Sequence, residues 1–305
     1  MLIKKDTYGV GTGRLRKLRV LSAIIVGCCV LFINTAGVAA NDSVNAESEK
    51  KPEPIAEGEV SAALLAEVGT GRVVYEYNSE EKLPAAGLTR LAALVSVCKG
   101  FDEGRLKPGD AVSVSEKAAG IGGTTAFLKA GEQMDAETML LAAVMINAGD
   151  ATHSLALAAA GSESAAVQEI NACMAGIGVE TNFSEICGAG EKLSASELAK
   201  IGAALTASES YRKFGTKFYE KIEHNTGAGA TELANPNKLV KQYSGCIGVG
   251  TGSSTEAGYC GVFAAKRGNT AFIAVVLGAK TSGTRFDCGR QHEHDHCAHT
   301  GRRII

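Results

Sequence analysis

The 305-residue chain has no tryptophan, five prolines and only 5% aromatic residues. So few rings exclude an aromatic stacking platform for single-stranded nucleic acid. Charge of one sign is missing too: 31 Lys and Arg against 33 Asp and Glu leave a formal net charge of -2. No basic stripe exists to neutralise phosphates, so nucleic acid is excluded as a partner. Long apolar runs are also scarce. The main one, Val20 to Ile33, follows Lys4, Lys5, Arg14, Arg16, Lys17 and Arg19. It is short for a span of about 20 residues, and Val38-Ala39-Ala40 supplies small residues before Asn41. Residues 1–40 therefore read as a secretory signal or an uncleaved N-terminal anchor, the only expected contact with a membrane. A lipoprotein signal ending at Cys28 fits less well, because the run continues past it. The expected location is extracytoplasmic.

What is present is 45% hydrophobic, enough for a sizeable core. Residues 41–58 are polar, with Glu47, Glu49, Lys50, Lys51, Pro52 and Pro54, and read as a flexible linker. Val60 to Val68 and Arg72 to Tyr77 flank Gly69-Thr70-Gly71, a hairpin pattern. Leu88 to Cys98 is apolar without alternation, which predicts a buried helix. A helical stretch follows, with helices over Ala136–Ile146, Ala151–Ala160, Ser162–Ala175 and Ser194–Leu205, the last opening on a Ser194/Glu197 capping box. Strands return at Lys238–Val249, Tyr259–Lys266 and Thr270–Leu277. Strands at both ends around a helical insert predict an α+β domain over 59–286, its antiparallel sheet built from N- and C-terminal strands and flanked by helices.

Nine cysteines become seven once Cys28 and Cys29 are removed with a signal. In an exported chain Cys173–Cys187 and Cys246–Cys260 are local disulfide candidates, and buried thiols are the alternative.

Several segments resemble, in order, the D-alanyl-D-alanine carboxypeptidases, low-molecular-mass penicillin-binding proteins with a serine β-lactamase-like fold. Their motifs are S-x-x-K, S-x-N and K-T-G. Ala85-Ala86-Gly87-Leu88-Thr89-Arg90 is similar to P-A-S-L-T-K, with Gly87 at the nucleophile and Arg90 at the lysine. Asn147-Ala148-Gly149-Asp150-Ala151 is similar to S-G-N-D-A, with Asn147 at the serine and Gly149 at the asparagine. The run from Gly250 to Cys260 is similar to K-T-G-Y-T-x-E-A-G-Y-C, with Gly250 at the lysine and Thr251 and Gly252 kept. Phe127 to Glu132, Asn235 to Leu239 and Ala274 to Ala279 match family segments outside the chemistry.

The resemblance implies a fold, and a cleft in which Gly87, Arg90, Asn147 and Gly149 hold catalytic positions while Gly250, Thr251 and Gly252 line the substrate. It implies no cofactor. Glycine offers no nucleophile, and arginine stays protonated and cannot replace lysine as a base, although it can hold an anion. A non-catalytic relative that binds a peptidoglycan stem peptide or an envelope protein is the leading expectation. The alternatives are residual carboxypeptidase activity through Thr89, Ser253 or Ser254, and metal binding by the tail. From Cys288 that tail, 287–305, carries His292, His294, His296, Cys297 and His299. Their spacing fits no standard zinc module, so a disordered or aberrant end is expected in preference to a metal site.

Overall fold

The computed structural model describes residues 58–299 except 189 and 228, with side chains through residue 290. The expected signal, nearly all of the linker, and His292, His294, His296, Cys297 and His299 as ligands lie outside the described residues. A five-stranded antiparallel sheet is the centre of the fold. Its strands are β1 (Ala62–Glu67), β2 (Val73–Tyr77), β3 (Cys246–Ser254), β4 (Gly258–Arg267) and β5 (Thr270–Ala279), in the order β2-β1-β5-β4-β3. The pairing of β1 with β5, from Ala62 opposite Leu277 to Glu67 opposite Phe272, closes the sheet between distant parts of the chain. Antiparallel pairing follows from the hairpins at 68–72 and 268–269, and Gly71 supplies a left-handed residue (φ +70°) at the first.

Alternation of side chains puts the two faces of each strand into different cores. Ala62, Leu64, Val262, Ile273, Val275 and Leu277 face the helical layer. That layer comprises α1 (Arg90–Asp102), α2 (Ala136–Ile146), α3 (Gly149–Ala160), α4 (Glu163–Gly176) and α5 (Ala195–Ala207). Ala63, Leu65, Phe263, Phe272, Ala274 and Val276 face the other way, against Phe286 and Cys288 of α6 (Ser282–His299). The chain thus continues as helix past residue 286, where the sequence suggested a tail. Among the described residues no helix is long and apolar enough to cross a membrane.

The remaining differences from expectation are local. Lys238 to Gln242 is not strand but a turn followed by a short helix over Leu239–Gln242, because Asn237 Oδ1 accepts from the Leu239 amide and curls the backbone. A hairpin of Tyr219–Glu223 with Ala230–Ala234 occupies the stretch between the last expected helix, Ser194–Leu205, and the returning strands. None of the six described cysteines forms a disulfide, so Cys173–Cys187 and Cys246–Cys260 are corrected to thiols. Burial pushes the Cys98 thiol up to about 12.

The capping box is present: Ser194 Oγ accepts from the Glu197 amide, and Glu197 Oε2 accepts from the Ser194 amide. Burial pushes the Glu197 carboxyl up. Lys82, the Ser194 and Thr181 amides and the Thr181 hydroxyl outweigh it and hold the carboxyl below its ordinary range. A carboxylate depressed on folding stabilises above its unfolded pKa, about 4.3, and loses that contribution as pH falls through the folded value. Glu197→Gln is therefore expected to melt below the wild type at pH 7, with the gap closing below about pH 4. Melting curves that stay parallel from pH 7 to 3 would count against this.

Candidate active site

The chain reaches the first motif through a two-residue ladder, Leu83-Pro84 with Lys192-Leu193, and a tight 3₁₀ turn over Ala86–Thr89 that runs into α1. Gly87 sits in that turn. A Cβ built on it would meet only the Asn147 amide nitrogen, at 3.7 Å, an ordinary contact. Space for a side chain therefore exists at residue 87, and glycine supplies none. The turn is braced by Asn147 Nδ2, which donates to Gly87 O at 2.6 Å.

Arg90, at the first position of α1, turns its guanidinium away from anion duty. Nη1 donates to Thr124 O at 2.9 Å and Asn147 O at 3.3 Å, and Nη2 donates to Gly122 O. Three backbone carbonyls take up donors that an anion would need. The guanidinium also fills space. A Cβ on Gly149 would lie 2.9 Å from Arg90 Cζ and 2.7 Å from Ile121 Cγ2, and one on Gly123 would lie 2.9 Å from Arg90 Nη2. Arginine at 90 and glycine at 149 are therefore coupled, since the guanidinium occupies volume that a side chain at 149 would need.

Asn147 ends α2 in the left-handed conformation (φ 57°, ψ 43°), which asparagine tolerates better than most residues. Its side chain is committed to the Gly87 turn and carries no acid or base. Gly149 opens α3 and donates its N–H to Thr124 O at 2.9 Å. Asn147 and Gly149 thus shape the backbone through these hydrogen bonds.

The third motif lies on the edge strand of the sheet, β3. Gly250 faces the helical layer, its missing Cβ 3.5 Å from Leu91 Cδ2 and 3.7 Å from Leu88 Cδ2. At Gly252 a Cβ would come within 3.0 Å of Gly87 N, so glycine lets the strand and the Gly87 turn approach closely. Thr251 is buried, opposite Gly261 on β4. The structure therefore brings Gly87, Arg90, Asn147 and Gly149 together, and sets Gly250 to Gly252 across from the Gly87 turn.

Two residues join the site that the sequence did not place there. Arg285, on α6, donates from Nη1 to Gly252 O and Cys260 O, both at 3.2 Å, and from Nη2 to Ser282 Oγ at 3.2 Å. It places a buried positive charge against the backbone of β3 and β4. Cys187 sits half-buried with Sγ 3.5 Å from Gly149 O. Burial pushes its thiol up to about 11 against the pull of the Arg90 charge, so it is not a thiolate near neutrality.

Of the hydroxyls considered as relocated nucleophiles, Thr89 and Ser254 are engaged with backbone. Thr89 is buried, its Oγ1 directed at the carbonyls of Ala86, Cys187 and Gly188 at 3.2 to 3.4 Å. Ser254 Oγ accepts from the Ala257 amide at 3.0 Å and closes the turn after β3, while Ser253 is exposed. Among the described residues no cluster of His, Cys, Asp and Glu has metal-binding geometry.

A family model described as D-alanyl-D-alanine carboxypeptidase matches residues 45–281. The chain is 34% identical over 267 residues to D-alanyl-D-alanine carboxypeptidase DacF of Bacillus subtilis, covering 86% of this chain and 67% of the relative. It is 27% identical over 280 residues to DacC of Escherichia coli, covering 88% and 66%. The chain thus spans about two thirds of the length of these curated relatives. Among solved structures, the carboxypeptidase DacD of Francisella tularensis superposes with a TM-score of 0.73 at 21% identity, covering 86% of this chain and 75% of that one. Penicillin-binding protein 6B of Escherichia coli gives 0.71 at 24%, covering 80% and 78%. The Streptomyces K15 DD-transpeptidase gives 0.69 at 22%, covering 79% of this chain and 97% of that one. These likenesses carry the fold, and the family model together with the Bacillus relative carries the assignment: the chain belongs to the D-alanyl-D-alanine carboxypeptidase family.

Proposed function

We propose that this protein is an envelope relative of the carboxypeptidases that binds peptidoglycan stem peptides without cleaving them. The observation that carries this is Gly87, a position with room for a nucleophile and no side chain to supply one. Removing the nucleophile of a serine hydrolase costs about 10⁶ in kcat, roughly 8 kcal/mol of transition-state stabilisation at about 1.4 kcal/mol per decade. Nothing in the cleft offsets that: Arg90 cannot act as base, Asn147 braces the turn, and the Thr89 hydroxyl points into backbone. What supports binding is the edge strand β3, whose Gly250, Thr251 and Gly252 are set across from the Gly87 turn.

The experiment is calorimetric titration with a diacylated L-Lys-D-Ala-D-Ala tripeptide, with D-alanine assayed in the same cell. Saturable binding with no D-alanine released is the expected result. Steady release of D-alanine would make the protein an enzyme, and absence of binding would remove the ligand reading. Export rests on the basic and apolar N-terminal pattern. Protein recovered from the envelope with Asn41 at its N-terminus would support a cleaved signal, and full-length cytoplasmic protein would not.

A further inference from the structure

Four of the chain's six histidines fall between residues 292 and 299, beside Cys297. Along the string their spacing fits no zinc module, but the fold changes what spacing means. Ser282 to His299 is one helix, α6, in which each residue is turned about 100° from the last. His292 and His296 are four apart, and His296 and His299 are three apart, the two separations that make neighbours on a helix surface. On the helical repeat these three positions share an arc of about 60°. Asp295, three past His292 and four before His299, borders the same arc. His294 and Cys297 fall outside it, about 160° and about 100° round from His296.

The root of the helix is docked before the histidines begin. Arg285 donates to Gly252 O and Cys260 O at 3.2 Å, Phe286 and Cys288 are buried against the outer face of the sheet, and a Cβ at Gly289 would lie 2.7 Å from Phe263 Cδ2. Cys288, four before His292, belongs to that packed root, which leaves nitrogen as the main donor of the arc. Imidazole nitrogen suits zinc, copper and nickel. Two histidines four apart on one helix face are a pair that binds zinc, as in the H-E-x-x-H helix. A third ligand brings the set to that of a zinc site with one position open.

We infer that His292, His296 and His299 of α6 form a binding site for a divalent transition metal of the zinc, copper and nickel class. The inference is independent of the stem-peptide reading. Calorimetric titration of zinc chloride into the full chain tests it, and cobalt substitution reports the donors. The expected result is one ion per chain and a cobalt spectrum without a thiolate charge-transfer band. His292→Ala, His296→Ala and His299→Ala are each expected to weaken binding by about tenfold or more, since even the partners behind a ligand cost that much. His294→Ala, off the arc, binds as the wild type does.

Equal losses at His294 and His296 would mean that composition gathers the ion and the helix does not, which overturns the inference. So does binding that survives the three arc substitutions combined, a thiolate band with cobalt, or no binding at micromolar zinc. Tripeptide titration of the same preparations decides the reading of the cleft separately, and its failure leaves the metal site standing.

Discussion

Gly149→Asn, made alone, is expected to lower the unfolding free energy by about 2 kcal/mol, within the range for overpacking a filled site. The family's asparagine would put its Cβ 2.9 Å from Arg90 Cζ and 2.7 Å from Ile121 Cγ2. Arg90→Lys alone also destabilises, because Thr124 O, Asn147 O and Gly122 O lose guanidinium donors. Combined, the two should cost less than their sum by about 1–2 kcal/mol, since lysine frees the volume that asparagine needs. A double-mutant cycle in urea measures this. Strict additivity would mean that residues 90 and 149 are independent, and the account of one altered motif being fitted to another would fail.

Phe286→Ala is expected to cost about 3–4 kcal/mol, because α6 covers the outer face of the sheet through few large side chains. Phe286 is 6% exposed, 5.8 Å from the Phe263 ring and 4.5 Å from the Arg285 guanidinium. One turn on, a Cβ at Gly289 would lie 2.7 Å from Phe263 Cδ2, so helix and sheet are in close contact there. The cavity left by alanine cannot collapse readily against the rigid strands β4 and β5. Chemical denaturation gives the number directly, and a loss below about 1 kcal/mol would show that α6 is not a structural layer of the domain.

How much of this was legible in the sequence follows the range of the forces involved. The β1–β2 hairpin, the buried run of α1 and the Ser194–Glu197 capping box are local patterns, and each is in the fold where the pattern puts it. The hairpin at Tyr219–Ala234 was not legible. Lys221-Ile222-Glu223 has no β-branched run, and order there comes from tertiary contacts: His224 Nδ1 lies 2.8 Å from Glu132 Oε1, and Asn225 donates to Gln133 O. Helix α6 was missed for a similar reason, since Phe286, Cys288 and Gly289 declare themselves only against Phe263. In the site, Gly87, Arg90, Asn147 and Gly149 were named one by one from the sequence, and the fold brings them together. Their coupling was not legible: sequence gives the size of Arg90 but not that Gly123 and Gly149 are the residues that make room for it. Arg285 was hidden because it reaches the third motif from 33 residues further along.

The central claim is that the cleft has no nucleophile, and labelling of the purified wild-type chain with a fluorescent penicillin tests it most directly. An acyl bond to an active serine survives denaturing electrophoresis. The account predicts no covalent band at any penicillin concentration or incubation time, since Gly87 offers nothing to acylate and Thr89 is held on backbone carbonyls. A denaturation-resistant band that disappears on Thr89→Val or Ser253→Ala would contradict it and restore the protein to its family's chemistry.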